Sequence, residues 1–267
     1  MLRFLPIGYG LWVPAFAGTT GRSDIGRCVM KIFLAGAGGA IGRRLTPLLR
    51  AAGHMVVGTT RSKDTAAALA ALGVEPVVVD VFDAEVLARA VKTAAPQVLM
   101  HQLTDLPFAP GTPRYDEGLE RNARLRIEGT RNLADAAKVA GVRRMIAQSI
   151  AFVYAQADGT RAEADPLDVS ASGARKRTVD GVVALERATL ELPEGIVLRY
   201  GYLYGPGTWY PNEKRAKPAL HVDAAAQAAL QALSKGTRGI YNIAEDDGAI
   251  SSEKAKRQLG FDAGFRI

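Results

Sequence analysis

Short, uninterrupted apolar runs alternate along this chain with longer stretches in which apolar positions recur every three or four residues, and the alternation begins at Met30. The short runs cover 31–35, 55–59, 75–79, 97–102, 142–148, 195–200 and 239–243. A strand that is apolar on both sides is one that will be covered on both sides. The longer stretches, rich in Ala and Leu, cover 40–52, 63–72, 83–94, 116–140, 178–191 and 222–234, and "SSEKAKRQLGF" reads as a last short helix. Several of them stop at a glycine, such as Gly53, Gly73 and Gly141, just before the next strand. Strands and helices in strict alternation predict an α/β fold, a doubly wound parallel sheet of the Rossmann kind.

Composition adds little that contradicts this. With 48% hydrophobic and 23% charged residues over 267 positions, the chain is globular and long enough to bury a substantial core. The net charge is +7, but the basic residues fall in short clusters (Arg175-Lys176-Arg177, Lys214-Arg215, Lys256-Arg257) without interleaved stacking aromatics, which argues against a nucleic-acid partner. Cys28 is the single cysteine, so an intramolecular disulfide and a cysteine-built zinc cluster are excluded, and no metal is expected. No apolar run has the length of a membrane span. The segment "MLRFLPIGYGLWVPAFAGTTG" loosely imitates an export signal, yet Pro6, Gly8, Gly10 and Pro14 interrupt it. Residues 1–29 are therefore expected to be an extension outside the fold, and the protein to be cytoplasmic.

The chemistry begins at "KIFLAGAGGAIGRR". Gly36, Gly39 and Gly42 stand three apart between the first strand and the first helix. Such a joint needs a sharp turn, a residue without a side chain where a pyrophosphate approaches, and a close helix-to-strand contact. The first turn of the helix, at Ala40, Ile41 and Gly42, then presents unpaired N–H groups to the anion. The loop predicts a dinucleotide site. Its spacing, "AGAGGAIG", resembles the extended and atypical short-chain dehydrogenases/reductases, the NAD-dependent epimerase/dehydratase superfamily.

A carboxylate at the end of the second strand would bind the adenosine ribose hydroxyls and repel a phosphate. Here "VVGTTRSK" supplies none, and Thr60, Arg61 and Ser62 offer a guanidinium with two hydroxyls. That set suits a ribose 2′-phosphate, so NADP is expected, with NAD as the alternative. The resemblance further implies that Asp80 and Val81 meet the adenine. It also implies that His101, Gln102 and Leu103 lie by the nicotinamide ribose, and that Asn122 matches a family helix Asn one turn early. The position expected for that Asn holds Arg126.

The same family commonly passes a proton with a Tyr, lowers its pKa with a Lys four residues on, and holds the substrate oxygen with a Ser or Thr. The chain departs from this pattern. Aligning "SIAFVYA" with the family's Ser-Ser-x-x-Val-Tyr-Gly puts Ile150 at the hydroxyl position, and Ser149 reaches the substrate only if the strand end turns. Anchoring the later helix on Glu186 puts Thr178 at the Tyr position and Val182 at the Lys position. Tyr210 and Lys214 have Tyr-x-x-x-Lys spacing, but Pro211 disfavours a helix there. In "VLRYGYLYGPGT", Tyr202 and Tyr204 are the remaining candidates for a proton donor or substrate contact. Ser149, Thr178, Tyr202 and Tyr204 thus form the candidate catalytic set.

After "YGPGT" only residues 208–220 precede His221, where the family has a longer substrate-binding excursion. The expected layout is a nucleotide-binding domain over 30–200 and a shortened substrate-side region over 201–267. A shortened region exposes apolar surface that homodimerisation would cover. Two functions fit: an NADP-dependent oxidoreductase or epimerase-like enzyme acting on a carbonyl or hydroxyl of a small molecule, or a catalytically silent NADP-binding sensor or partner module.

Overall fold

The computed structural model describes residues 29–267. The signal-like segment and Cys28 lie outside the described residues. The first half is built from β1 (Lys31–Ala35), α1 (Ala40–Ala51), β2 (Met55–Thr60), α2 (Lys63–Ala71), β3 (Glu75–Val78), α3 (Ala84–Ala94) and β4 (Val98–His101). Then come α4 (Tyr115–Arg124), a π-helical turn (Leu125–Gly129), α5 (Thr130–Val139), β5 (Arg144–Ile150) and α6 (Gly173–Leu190). The rest is β6 (Glu194–Tyr200), β7 (Tyr202–Tyr204), β8 (Ala219–His221), α7 (Val222–Gln231), β9 (Gly239–Ile243) and α8 (Glu253–Leu259).

Seven strands form one parallel sheet in the order β3-β2-β1-β4-β5-β6-β9, the doubly wound arrangement anticipated from the alternation. β1 lies between β2 and β4, with Ala35 opposite Thr59 on one side and His101 on the other. The chain therefore reverses direction of winding at the end of β1, and the crevice this leaves is where ligands bind in open α/β sheets. Apolar side chains fill both sides of the sheet. Ile32 and Leu34 pack with α1, α7 and α8 through Leu45, Leu49, Ala225 and Leu259; Phe33 and Ala35 pack with α3 and α5 through Leu87, Val91 and Leu133. This is the two-sided burial that the uninterrupted apolar runs require.

Three local features differ from the pattern reading. The helix expected over 116–140 contains the π turn, which shifts the facing of everything after Arg124. The helix expected from 178 begins at Gly173, because Arg175 ties its first turn to the carbonyls of Phe152 and Tyr154 and to Asp168. Finally, β7 and β8 pair into a separate two-stranded sheet that apolar periodicity did not announce.

Candidate functional site

At the crevice, Gly36 adopts φ +97°, and a side chain there would press against the Gln102 carbonyl at 2.6 Å. A Cβ at Gly42 would stand 2.1 Å from the Gly36 carbonyl oxygen and 2.6 Å from that of Ala37. Both positions admit only glycine, so that α1 begins in contact with the loop that precedes it. Gly39 caps α1 without a side-chain bond, and its first turn holds no acidic residue. The N–H groups of Ala40, Ile41 and Gly42 have no intrahelical acceptor and remain for an anion.

Gly36, Gly39, Thr60, Arg61, Asp80, Val81, Gln102 and Leu103 line one continuous cleft, closed at its far side by Leu125. Most of the sequence-derived cofactor set is thus brought together. Gln102 lines the cleft, and its side-chain amide is buried against the Tyr200 phenol. Asp80 accepts from the Phe82 N–H at 3.0 Å, which fixes the loop after β3.

Three expected cofactor contacts are used otherwise. The Ser62 hydroxyl accepts from the Thr65 N–H at 3.4 Å and caps α2, because the first turn of that helix needs an acceptor. Asn122 is 2% exposed and accepts from the Asp105 N–H at 3.0 Å, so it holds the loop after β4 rather than a ligand. His101 is fully buried with its ring turned into the core: Nδ1 accepts from the Leu103 N–H at 3.2 Å, which leaves Nε2–H to donate to Thr130 Oγ1 at 3.0 Å. Burial, reinforced by the nearby Arg126 charge, pushes the His101 imidazole down to about 3. Below pH 6.5 the unfolded chain takes up a proton that folded His101 refuses, so stability falls as pH drops from 6.5 toward 3. His54 and His221, also lowered by burial, act in the same direction. The expected slope from His101 alone rises from about 0.7 kcal/mol per pH unit at pH 6.5 to about 1.4 below pH 5.5, and urea unfolding across that range measures it. A midpoint that does not move would contradict a neutral, buried His101.

The catalytic candidates separate. Ser149 is 2% exposed and donates to Glu186 Oε1 at 2.9 Å. The strand end does not turn, and Ser149 is a structural hydroxyl. Glu186 in turn receives a bidentate Arg199, both bonds at 2.7 Å, and Arg199 also donates to the Tyr154 phenol at 2.7 Å. This buried network, joining β5, α6 and β6, was missed in the sequence; its signal is a charged residue inside the apolar run "IVLRY", matched by a glutamate on the preceding helix. Burial lowers the hold of Arg199 on its proton, but the Glu186 pair outweighs this and raises it.

Tyr204 donates to Glu245 at 2.5 Å and accepts from Arg266 at 3.1 Å, and Lys214 pairs with the same Glu245. Its phenol, pushed up by burial and by Glu245, ties the C-terminal segment down and is no proton donor for the cleft. Lys214 is thereby also unavailable to Tyr210. Tyr202 is 37% exposed and stacks on Phe152 with centroids 3.8 Å apart and ring planes 9° apart. Burial also pushes its phenol up, helped by Tyr115 and Tyr210. Thr178 is half-buried on α6 and makes no side-chain hydrogen bond among the described residues. No phenol with a lysine beside it faces this cleft among the described residues, and no cluster of His, Cys, Asp and Glu could hold a metal ion there.

A family model described as NAD(P)H-binding matches residues 36–189, from the first loop glycine to near the end of α6. The chain belongs to this NAD(P)H-binding family. A 3-diazoavenalumate denitrifying reductase from a Streptomyces species is 39% identical over 246 residues, covering 84% of this chain and 79% of the relative. Among solved structures, a UDP-glucose 4-epimerase from Thermotoga maritima superimposes with a TM-score of 0.70 at 16% identity, over 89% of this chain and 94% of that one. WbmG of Bordetella bronchiseptica, solved with NAD, gives 0.69 at 18% identity over 92% of each chain. The fold is thus that of the NAD-dependent epimerase/dehydratase type of short-chain dehydrogenases/reductases. Among the described residues no helix is long and apolar enough to cross a membrane.

Proposed function

We propose that this protein is an NADP-preferring reductase whose hydride acceptor is not a carbonyl oxygen in need of a proton. The observation that carries this reading is the pairing of a complete dinucleotide cleft with Thr178 and Val182 on the helix face where a phenol and an ammonium would stand. A bound reduced nicotinamide supplies a hydride. Reduction of a ketone with that hydride also needs a group to deliver a proton to oxygen. Thr178 is too weak an acid, and Val182 supplies no charge.

The relative's name, a denitrifying reductase of a diazo compound, describes an acceptor that makes no such demand. When an aryl diazonium group is reduced, the hydride's hydrogen finishes on the ring carbon, the carbon–nitrogen bond breaks and dinitrogen leaves. No alkoxide forms, so no phenol is required. The protein's task is then to bind, orient and exclude water. Gln148 contributes by donating to the Leu103 carbonyl at 2.9 Å, which fixes the loop after β4 across the cleft. The β7–β8 pair and the chain between them supply the substrate-side wall.

Preference for NADP rests on Arg61. It lines the adenosine end of the cleft, is 60% exposed, and reaches Asp105 only at 4.0 Å, while Asp105 is already held by Arg121 at 3.0 and 3.1 Å. Arg61 is therefore free to turn to a 2′-phosphate. Arg61→Ala is expected to weaken NADPH binding about tenfold and leave NADH unchanged, read by fluorescence titration. Equal weakening of both would remove the case for NADP. The reductase reading itself is tested by mixing the NADPH-loaded protein with an aryl diazonium carboxylate and with a panel of aldehydes and ketones. Loss of NADPH absorbance with the first alone supports it; binding without any turnover favours the silent module.

A further inference from the structure

We infer that Arg126 is the specificity-determining residue of the substrate pocket and that it receives the carboxylate of a small, planar, anionic substrate. This deepens the reductase reading by naming the class of molecule the same site would take.

Arg126 sits on the π-helical turn, one residue after Leu125 of the cleft wall. It is 8% exposed, yet among the described residues its guanidinium makes no hydrogen bond and no ion pair. Such a group is expensive to bury. Among the described residues the carboxylate near it is Glu186, which is committed to Arg199 and Ser149. Burial holds the Arg126 guanidinium down to about 10, more than the nearby Glu186 charge offsets.

The surroundings say what would compensate it. Gly181 faces the turn, and a Cβ there would be 3.4 Å from the Arg126 Cβ, so this helix position gives the arginine room. Gly181 shares a helix face with Thr178 and Val182, the positions without phenol and ammonium. The Arg126 charge reaches His101 at the end of β4 and Tyr115 at the start of α4, and Tyr115 in turn neighbours Tyr202 and Tyr210. Tyr115 thus stands near this cation, and Tyr202, next to Tyr115, is partly exposed and stacked on Phe152. Flat rings at the rim favour a flat substrate, and a planar guanidinium pairs with a carboxylate by two parallel bonds.

The test uses the full chain loaded with NADPH and compares trans-cinnamate with its neutral isostere trans-cinnamamide by calorimetry, with NADPH affinity measured in parallel. The unmodified protein is expected to prefer the carboxylate about tenfold. Equal affinity for the two, or binding of neither, overturns the inference without bearing on turnover, since no reduction is involved. Arg126→Gln is expected to bring the preference to within about twofold while NADPH affinity stays within about twofold. If Arg126→Gln instead lowers NADPH affinity and keeps the carboxylate preference, Arg126 serves the cofactor and the inference fails. Should that variant not fold, Arg126→Lys keeps the charge but not the planar fork; a several-fold drop in preference supports the assignment, and an unchanged preference overturns it.

Discussion

Gly42→Ala is expected to abolish useful cofactor binding, lowering NADPH affinity at least about 100-fold, and to destabilise the fold by about 3 kcal/mol. The added methyl would lie 2.1 Å from one backbone oxygen and 2.6 Å from another, and neither can swing aside as a side-chain tip can. Relief requires α1 to lift from β1. That movement withdraws the N–H groups of Ala40 and Ile41 from the pyrophosphate and opens the packing of Leu45 and Leu49 against the sheet. Fluorescence titration and urea unfolding read the two effects. Gly39→Ala separates them, because its Cβ would meet nothing nearer than 3.3 Å. It is expected to keep stability within about 1 kcal/mol and still weaken the cofactor, since its methyl occupies the approach of the phosphates.

The second large effect lies away from the cleft. Glu186→Gln leaves Arg199, 2% exposed, with a buried charge and no carboxylate, and is expected to cost about 3–5 kcal/mol. The loss registers in urea unfolding. Adding Arg199→Met removes the orphaned charge as well, and the double variant is expected to regain at least half of that loss. A double variant as unstable as the sum of its parts would show that the pair contributes through packing alone.

What the sequence revealed depended on how local the cause was. Strand and helix positions follow from apolar runs and their period, and the cofactor loop follows from glycine spacing at one joint, so both were readable. Thr60, Arg61, Asp80, Val81, Gln102 and Leu103 share one cleft because each closes a neighbouring parallel strand. Side-chain direction was not readable in the same way. His101 and Ser149 stand at the ends of their strands, and only the packing of α5 and α6 shows that Thr130 and Glu186 claim them. Ser62 and Asn122 were claimed by backbone donors a few residues or one loop away. The π turn left no mark in the apolar period, so the placement of Arg126 had to come from coordinates. The β7–β8 pair is too short for periodicity to find.

The missing phenol and lysine carry the most weight for function. The half of the chain that binds the dinucleotide is intact, while the helix that would donate a proton is not. Retaining a shaped cleft and, among the described residues, a buried Arg126 guanidinium without an ion pair fits an enzyme whose acceptor needs orientation more than acid catalysis.

The most direct measurement is the fate of a labelled hydride. The protein is mixed with NADPH deuterated at C4 of the nicotinamide and, in separate reactions, with an aryl diazonium carboxylate and with a matched aryl ketone. Deuterium on the ring carbon of the first product with release of dinitrogen, and none in the second, is the predicted result. Deuterium transfer to the ketone at a comparable rate would contradict it, because Thr178 and Val182 would then have to support the very proton transfer for which they lack the groups.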